Sequence, residues 1–586
     1  MLRNYSFLFV LFLVRLVSAA QIIPATRTVN WSLAGLSNPI PEPSTSIDIA
    51  SFGGSGDSIT NNDLPLQNAL ASVAGNPTII YFPAGNYQFT SSFNIPSGTI
   101  LRGDSTAKTN FLFNLSGAAY DLFGITGSPS GNEFLLNDSA SRGNSFLLTS
   151  DTTGFLPGDY IKIFQDDSSL VNDSWAYNSI GQILKIVRVA IDSLFFESPL
   201  RRSYLLTDSA RIRKINPISN VGFECFYIER LDVTTSQTSN FNFDHAVNCR
   251  ITGVESNKTN FAHVSISSSS NILIRGNYFH HAFAYSGGGK GYGVMLQFAT
   301  GEVLVENNIF KTLRHAMILQ AGANGNVFGY NYSLDPYWNE GSLPANSAGD
   351  MVLHGNYPYT NLFEGNICQN MVVDNSHYIN GPYNTFFRNR AAGYGLIMNN
   401  SPASNDQNFS GNEITNTATF MGQYYLSGTG HFEYGNNVRG TITPAGTSGT
   451  MPDSYYLSSA PAFFGGTTWP TIGGPHPYNT GTIPAQTNFN VGGETSCYGN
   501  FTGTNEIQHD ENSILIYPNP CNGAFKVFTK GSDRFNLKVI NSSGTLVYQA
   551  ANLLAGNLIQ LKLTPGMYLI RIEFKGKMHT QKLIIE

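Results

Sequence analysis

VLVENN at 303–308, VFGYN at 327–331 and LFEGN at 362–366 decide the fold, because each is an apolar stretch that ends in Asn. Further segments with this pattern are ILIRGN at 272–277, FFRN at 386–389, SGN at 410–412 and FEYGN at 432–436. Their last Asn residues are separated by 31, 23, 35, 23, 23 and 24 positions. A unit of about 23 residues therefore recurs, and two gaps are longer by 8 and 12.

A unit of this length fits three short strands and three turns, stacked so that each strand lies ~4.8 Å from its equivalent. Asn suits the recurring turn because it tolerates left-handed backbone angles and can bond along the stack. The two longer gaps indicate loops pushed out of one corner, where binding sites usually lie. We therefore predict an all-β chain built on a right-handed single-stranded parallel β-helix. The main rival, a β-propeller, would need a repeat nearly twice as long.

The composition agrees with this fold class. The chain has 586 residues, more than one ordinary domain needs, and its net charge of -6 argues against a nucleic-acid partner. Charged residues make up 12%, aromatic residues another 12%, and there are 58 Gly. These values are typical of an all-β protein whose surfaces meet sugars, and 41% hydrophobic residues argue against disorder.

The N-terminus is typical of a signal peptide over 1–20. Arg3 supplies the positive charge, 7–17 are mostly apolar, and 18–20 are small residues suited to cleavage. The alternative is a membrane anchor, which the short length of the apolar run disfavours.

Five cysteines occur, in a spacing that fits no zinc pattern. Cys225 and Cys249 lie 24 positions apart, about one coil, so they could be stacked neighbours that form a disulfide. The alternative is that both are small core residues.

The start of the predicted mature chain carries a second signal. It contains IDIASFGGSGD at 47–57, TNND at 60–63, LQNAL at 66–70, IIYFPAGNY at 79–87 and IPSGTILRG at 95–103. This series resembles the N-terminal signature of the pectate-lyase-like β-helix superfamily, which has rhamnogalacturonase-type and epimerase-type members. The resemblance implies that 21–127 form an N-terminal cap, with a short helix, and the first coils.

Two further regions follow the cap. Residues 128–215 break the rhythm, and FLPGDYIKI at 155–163 predicts a small β insertion there. Residues 216–470 are predicted to hold the main coils with the active-site loops. Residues 471–512 are predicted to be a linker, because Gly, Thr, Pro and Ser are frequent there.

The C-terminal region over 513–586 has its own pattern. ILIYPNP at 514–520, LTPGMYLIR at 563–571 and QKLII at 581–585 belong to alternating strands, which predict a small β-sandwich. These motifs resemble the sorting domain of the type IX secretion system. The resemblance implies a Gram-negative bacterium of the Bacteroidetes type, passage across the outer membrane, and removal of the tail. A plain sugar-binding sandwich is the alternative.

The most regular polar feature is a pair of Asp residues. DMVLHGNYPY at 350–359 can be set against DNSHYINGPY at 374–383 with an offset of 24, which stacks Asp350 beside Asp374. An offset of 23 would instead put His354 beside His377. Two stacked carboxylates could supply a general acid beside a nucleophile or base, or could hold calcium. The alternative is that each Asp bonds backbone amides at a turn.

Basic side chains are also concentrated in this region, at Arg314, His315, His354, His377, Arg388 and Arg390. Such groups would bind the carboxylate of an acidic sugar, and a lyase would use one of them as its base. Arg388 could instead form a structural ion pair with Glu364 on the adjacent coil.

The two longer gaps hold further candidates for substrate binding. Lys290 and Tyr292 lie in the Gly-rich loop SGGGKGY at 286–292, whose spacing is unlike that of a phosphate loop. Tyr337 and Trp338, within DPYWNE at 335–340, could stack on a sugar ring. A hydrophobic loop anchor is the alternative for this second segment.

The sequence therefore predicts a secreted or surface enzyme that cleaves glycosidic bonds in polysaccharide. A glycoside hydrolase is slightly favoured because of the paired Asp350 and Asp374, with His354, His377, Arg314 and His315 as the other catalytic candidates. The alternatives are a lyase that acts by β-elimination on uronate glycans, and a surface glycan-binding β-helix without activity. We expect a polysaccharide and the type IX secretion machinery as partners, no nucleic acid, and a monomer. No cofactor is predicted apart from the calcium that the Asp pair could hold.

Overall fold

The computed structural model describes residues 22–585 except positions 41, 74, 342, 467, 494, 496, 498–513, 518–520, 522, 530–533, 542–544, 555–556 and 575–576. The predicted signal peptide lies outside the described residues. The chain divides into two compact units, Met1–Phe501 and Thr502–Glu586. No helix in the described part is both long and apolar enough to cross a membrane.

The first unit is a coil with three columns of strands, which we call faces 1, 2 and 3. The strands are parallel except for the last one of face 2, Thr441–Thr443. Face 1 is a sheet of its own with 13 strands. Its strands are Thr45–Asp48, Thr78–Phe82, Thr99–Gly103, Ile218–Ser219, Gly222–Glu224, Ala246–Thr252, Ser270–Arg275, Leu304–Glu306, Val327–Gly329, Leu362–Glu364, Thr385–Phe387, Asn408–Ser410 and Phe432–Tyr434.

Faces 2 and 3 are joined in one sheet of 21 strands, because two long strands, Ile367–Val373 and Arg390–Met398, bend from one face into the other. The other strands of face 2 are Asp57–Asn61, Gly85–Phe89, Thr109–Phe113, Tyr227–Arg230, Glu255–Asn257, Tyr278–His280, Ile309–Lys311, Tyr332–Leu334, Glu413–Ile414, Asn436–Val438 and Thr441–Thr443. Those of face 3 are Phe93–Asn94, Phe123–Thr126, Phe241–Asp244, Ala262–Ser267, Tyr292–Gln297, His315–Leu319, Met351–Leu353 and Gln423–Tyr425.

The recurring Asn residues form a ladder at the corner between faces 1 and 2. In each step the side-chain amide donates to the Oδ1 atom of the next Asn at 2.9–3.1 Å, for example from Asn331 to Asn366 and from Asn389 to Asn412. The same side chains donate to a backbone carbonyl of the preceding coil. Every ladder amide is therefore buried and bonded, which avoids the cost of an unpaired polar group. The predicted right-handed parallel β-helix is confirmed.

The interior of the coil is packed by aligned apolar side chains. Phe328, Phe363, Phe386 and Phe409 stack with ring centroids 5.3, 4.9 and 5.3 Å apart. Each of these rings is fully buried, which contributes roughly 1.5–3 kcal/mol per side chain. The stack and the ladder both demand one equivalent residue per coil, so they fix the register of face 1.

The helix Asp63–Val73 covers the first coils, with Leu66, Leu70 and Val73 in the main core. Between the early and main coils, six antiparallel strands form a separate sheet: Ser128–Leu135, Phe146–Leu148, Tyr160–Phe164, Gly181–Val189, Ser193–Phe196 and Arg211–Asn216. Short 3-10 helices are Ala25–Arg27, Trp31–Leu33, Ile49–Phe52, Ser174–Ala176, Leu206–Asp208, Ala345–Ser347 and Ala462–Phe464.

Cys225 and Cys249 are not stacked neighbours. Gly222 pairs with Arg250 and Glu224 with Thr252, so Cys249 lies beside Val221 and Cys225 lies beside Gly253. No disulfide joins any two of the five cysteines in this structure. The predicted alignment was wrong because their separation of 24 differs from the local strand offset of 28.

The outer surface of face 1 is covered by two segments, the N-terminal strap (22–40) and the C-terminal strap (451–493). The indole N–H of Trp31 donates to the Thr360 carbonyl at 2.7 Å. From the C-terminal strap, Ile472 and Ile483 are buried against face 1, and the strap includes the helix Pro484–Asn490. The predicted linker over 471–512 is therefore wrong for 471–493, where apolar side chains pack onto the coil.

The second unit contains two antiparallel sheets. One has the strands Ile514–Tyr517, Ala524–Thr529 and Leu558–Gln560, and the other has Arg534–Asn541, Leu546–Leu554, Gly566–Phe574 and Lys577–Ile585. Phe525 and Ile559 from the first sheet share a core with Val539 and Ile570 from the second. This arrangement is the predicted β-sandwich.

Candidate functional site

The register of face 3 differs from the one the sequence suggested. Met351 pairs with Met371 and Leu353 with Val373, an offset of 20, so Asp350 lies beside Asn370 and His354 beside Asp374. The predicted stacking of Asp350 on Asp374 is wrong. The two residues occupy opposite ends of adjacent strands, four positions apart, or about 13 Å at 3.3 Å per residue.

The environment of Asp350 is that of a structural residue. Its carboxylate accepts hydrogen bonds from the Ser333 hydroxyl at 2.9 Å and from the backbone N–H groups of Gln369 and Asn370 at 2.6 and 2.8 Å. The side chain is buried, and burial raises its pKa to about 6. Asp350 thus fits the alternative interpretation, a carboxylate that holds backbone amides at a turn.

Asp374 is instead paired with a histidine. Its Oδ2 atom lies 2.6 Å from His354 Nδ1, and the carboxylate also accepts from the Ser376 backbone N–H. Since a carboxylate only accepts, Nδ1 carries the proton. Burial alone would raise the pKa of Asp374, yet the contact with His354 lowers it to about 2. The opposite nitrogen, His354 Nε2, has no hydrogen-bond partner among the described residues and is not among their buried unpaired atoms.

Arg314 and His315 on the neighbouring coil, and Tyr292 on the coil before that one, continue this cluster. The His315 ring lies 5.3 Å from that of His354 and 5.2 Å from that of Tyr292, and Arg314 Nη1 lies 3.4 Å from the Tyr292 hydroxyl. His315 Nδ1 donates to the Gly349 carbonyl at 2.9 Å, while its Nε2 atom is buried without a partner. Burial, with the nearby Arg314 charge, lowers the pKa of His315 to about 3. Burial raises the pKa of Tyr292 to about 12.

His377 completes the group on the other side of His354, with ring centroids 5.0 Å apart. It is oriented by the β insertion, because Asp173 Oδ2 accepts from His377 Nδ1 at 2.8 Å and from Asn356 Nδ2 at 3.0 Å. The ring centroid of the half-exposed Trp175 lies 5.3 Å from that of His377, with the two rings nearly perpendicular. Asp173 and Trp175 were missed in the sequence, since nothing in the chain links residues 204 positions apart. We call Tyr292, Arg314, His315, His354, Asp374 and His377 the histidine cluster.

The two long loops lie against each other beside this cluster. The ring of Tyr285 meets that of Tyr337 at 5.0 Å, and Glu340 Oε1 lies 3.7 Å from Arg314 Nη2. Trp338 donates its indole N–H to the Pro344 carbonyl within its own loop at 2.8 Å. Lys290 forms no ion pair with any described residue. Roles of Lys290, Tyr337 and Trp338 in substrate binding stay predictions.

Arg388 and Arg390 lie elsewhere. Both are buried under the C-terminal strap, where Arg388 donates to the Ile472 and Met451 carbonyls and Arg390 Nε lies 2.6 Å from Glu413 Oε2. The Glu364 carboxylate instead accepts from the Tyr330 hydroxyl and the Tyr455 backbone N–H, and the ion pairs of the described residues do not include the predicted one between Glu364 and Arg388. Assigning these two arginines to substrate binding was wrong, because the strap closes their surface.

The described residues include no group of three or more His, Cys, Asp or Glu side chains that could hold a metal ion. The calcium prediction depended on the stacked Asp pair, which is not present. The histidine cluster itself offers an oriented imidazole, a buried neutral imidazole, a phenol and a guanidinium. Together these groups can move a proton beside a bound anion.

Comparison with known families identifies two parts of the chain. Residues 46–155 match the family described as rhamnogalacturonase A/epimerase, pectate lyase-like. Residues 515–586 match the secretion system C-terminal sorting domain. Both predicted resemblances are confirmed. No curated protein matches the sequence.

Several solved structures are similar to the chain. The tailspike protein gp49 of Pseudomonas phage LKA1 is 17% identical over 63% of this chain and 64% of the tailspike, with a TM-score of 0.46. The catalytic unit of an alpha-1,3-glucanase from Streptomyces thermodiastaticus is 11% identical over 71% and 68%, with a TM-score of 0.38. The surface adhesin PfbA of Streptococcus pneumoniae is 13% identical over 67% and 90%, with a TM-score of 0.35.

The sorting-domain match confirms the predicted localisation, which is secretion to the cell surface or the extracellular space by the type IX system. The match at 46–155 supports, at a coarse level, a protein that acts on or binds polysaccharide. The monomeric state and the bacterial group stay predictions.

Proposed function

We propose that the protein is a polysaccharide lyase that cleaves a uronate-containing glycan by β-elimination at the histidine cluster. The observation that carries this proposal is the His354–Asp374 hydrogen bond of 2.6 Å, which leaves His354 Nε2 without a partner among the described residues. The His354 ring lies 5.3 Å from that of His315, which follows Arg314 on the preceding coil, and Tyr292 lies beside His315 one coil further on. An imidazole held by a carboxylate through one nitrogen presents the other as a general base.

The hydrolase that the sequence favoured loses its support. Hydrolysis needs two carboxyl groups about 5–10 Å apart, one of which keeps its proton at working pH. Asp350 is buried in backbone hydrogen bonds at the far end of the strand, and His354 keeps Asp374 ionised. A lyase needs no carboxylic acid of this kind.

The elimination can be assigned to named groups. Arg314 binds the uronate carboxylate, which makes the proton on the adjacent ring carbon more acidic. His354 Nε2 takes that proton, its electron pair forms the ring double bond, and the carbon–oxygen bond to the next sugar breaks. Burial keeps the Tyr292 hydroxyl protonated at neutral pH, so it can give its proton to the leaving oxygen.

The test is a cleavage assay on a panel of uronate-containing and neutral polysaccharides. A lyase releases reducing ends that carry the ultraviolet absorbance of an unsaturated uronate. Reducing ends without that absorbance would establish a hydrolase, and retention of glycan without new ends would establish a binding protein. Either result overturns the proposal. His354→Gln is expected to abolish the absorbance, and the matched variant His476→Gln in the C-terminal strap is expected to retain it.

A further inference from the structure

A groove opens on face 3 next to the histidine cluster, lined by Asn375, Ile397, Met398, Asn399, Asn400, Ser401 and Tyr425. We call it the amide groove. Its volume is about 360 Å³. Asp374 is followed directly by Asn375, and the pairing of Val373 with Met398 puts Asn399 beside Asp374 on the next coil. The groove therefore begins one strand spacing, ~4.8 Å, beyond the proposed catalytic pair.

The floor and end of the groove suit a sugar ring. Ile397 pairs with Tyr425 across the sheet, and both side chains point outward because the residues before them, Leu396 and Tyr424, point into the core. Tyr425 is 49% exposed, and its hydroxyl lies 3.5 Å from Asn400 Nδ2. An aromatic side chain held at one end of a polar groove gives the apolar face of a pyranose a surface to stack on.

The walls of the groove carry amides and a hydroxyl but no charge. Asn399 Nδ2 donates to Asn375 Oδ1 at 3.2 Å, which leaves donors and acceptors of both residues for hydroxyl groups. A uronate in this groove would find no cation among the lining residues, in contrast to the histidine cluster with its Arg314. The two adjacent sites on face 3, the amide groove and the histidine cluster, therefore differ in charge.

From these observations we infer that the amide groove is a subsite for a neutral sugar, adjoining the site at which the uronate is cleaved. The substrate is then a mixed glycan in which an uncharged residue neighbours the uronate. This inference rests on the proposed function for the identity of the neighbouring site. The binding of a neutral sugar can nevertheless be measured without any cleavage.

The experiment uses affinity electrophoresis of the secreted protein in gels that contain neutral glucan, galactan, mannan or rhamnan. We expect at least one of these to retard the protein, and Tyr425→Ala to weaken the apparent affinity about tenfold. The matched variant Tyr120→Ala, which alters another exposed tyrosine, is expected to migrate like the wild type.

The inference is overturned if no neutral glycan retards the protein, or if Tyr425→Ala is retarded as strongly as the wild type. The variant His354→Gln distinguishes a failure of this inference from a failure of the proposed function. It is expected to be retarded by the neutral glycan like the wild type, because the amide groove is unchanged, and to lose cleavage. Thermal unfolding of Tyr425→Ala shows whether it is folded, and Asn399→Ala provides a second variant in the same groove with the same expected direction.

A second inference rests on a different observation, the position of Cys497. Its Sγ atom lies 3.2 Å from the Gly253 carbonyl oxygen, and Gly253 is the residue beside which Cys225 lies on face 1. The neighbouring Cys225 side chain lowers the pKa of the Cys497 thiol. The hydroxyls of Thr495 and Thr106, 3.1 Å apart, hold the same part of the chain against an early coil.

We infer that Cys225 and Cys497 form a disulfide after export. The two thiols lose two protons and two electrons to the disulfide of a thiol–disulfide oxidoreductase, which leaves as a dithiol while the new sulfur–sulfur bond forms. The crosslink would fix the chain that follows the C-terminal strap to the early coils. Secretion makes such a bond stable, whereas the cytosol would reduce it.

Peptide mapping of the exported, alkylated protein without reduction tests this bond. We expect one joined pair of peptides that contain Cys225 and Cys497. Alkylation of both thiols, or a Cys225–Cys249 crosslink, would contradict the inference. A reductant is expected to lower the thermal midpoint of the wild type and to have no effect on that of Cys497→Ser.

Discussion

Faces 1 and 3 of the coil use the same kinds of charged side chain in opposite ways. On face 1, Arg275 pairs with Glu306, and the Tyr456 hydroxyl of the C-terminal strap donates to the same carboxylate at 2.9 Å. On face 3, the His354–Asp374 pair leaves His354 Nε2 without a partner among the described residues. Both groups are buried, so the difference lies in what covers them: the C-terminal strap bonds the Glu306 carboxylate, whereas no described residue bonds His354 Nε2.

This contrast shows why residue type alone misleads. Arg388 and Arg390 looked like ligands for an acidic sugar, yet they are buried under the C-terminal strap, whose carbonyls, with Glu413, occupy several of their donors. Arg388 Nε, Arg390 Nη2 and His315 Nε2 are all buried without a described partner, so an unpaired atom does not by itself mark a functional group. The strap that covers the two arginines separates them from the histidine cluster.

The largest effect is expected from removing the free nitrogen on face 3. In His354→Gln the imidazole is lost, so turnover on the polysaccharide that the protein cleaves should fall ~10²–10⁴-fold, the usual contribution of a general base. Initial rates measure this effect, and the thermal midpoint shows whether the variant is folded. A folded variant that cleaves at the wild-type rate would contradict the role of His354 as general base, and with it the functional difference between faces 1 and 3.

On face 1 the expected effect is on stability. Glu306→Ala leaves the Arg275 guanidinium buried without its partner, which typically costs ~3–5 kcal/mol of unfolding free energy. Turnover per folded molecule should stay unchanged because the pair is remote from face 3. Urea unfolding combined with the cleavage assay tests both statements, and a loss of turnover without a loss of stability would contradict them.

The Asn ladder should show a smaller loss of stability. Asn331→Ala removes the acceptor used by Asn308 and the donor to Asn366, at a cost of ~1–3 kcal/mol. The exposed Asn339 serves as a control, because its replacement by Ala should change the unfolding free energy by less than ~0.5 kcal/mol. Equal effects at the two positions would show that the ladder adds nothing.

The smallest effect is a pH dependence on face 3. The pKa of His315 in the folded chain, about 3, lies below the value of about 6.5 in an unfolded chain. Its contribution to stability is therefore complete above pH 6.5 and is lost as the pH falls, by about 1.4 kcal/mol per unit. Asp350 acts in the opposite direction, because its pKa is raised and its contribution is lost as the pH rises through about 6.

Thermal midpoints of the wild type and His315→Gln, measured between pH 7 and pH 5, isolate the contribution of His315 to stability, since Asp350 is common to both proteins. The midpoint of the variant should fall less on acidification. Parallel curves would mean that His315 takes up a proton as readily in the folded chain as in the unfolded one.

The fold could be predicted because the ladder requires one Asn per coil at the same corner. The site could not be predicted, because successive coils carry their loops at different corners and the spacing between ladder Asn residues does not show where a loop is inserted. Met351 follows its ladder residue Asn331 by 20 positions, whereas Met371 follows Asn366 by five. A repeat measured at one corner therefore says nothing about register at another, and the Asp350–Asp374 alignment failed for this reason.

The remaining surprises have equally physical causes. Asp173 and Trp175 reach the histidine cluster from the β insertion, and no local pattern marks such a contact. The C-terminal strap resembled a linker because Gly, Thr and Pro give it no periodicity. An extended chain needs no periodicity to lay side chains such as Ile472 and Ile483 on the outside of a sheet.

The C-terminal strap is the last part of the first unit to leave the ribosome, yet it closes over coils that were made much earlier. Until it arrives, Val327, Leu362 and Phe387 present an apolar strip to water. If the chain crosses a membrane with its N-terminus first, the first unit can complete its packing only after the C-terminal strap has crossed. Complete folding of the first unit would then indicate that the whole unit has crossed.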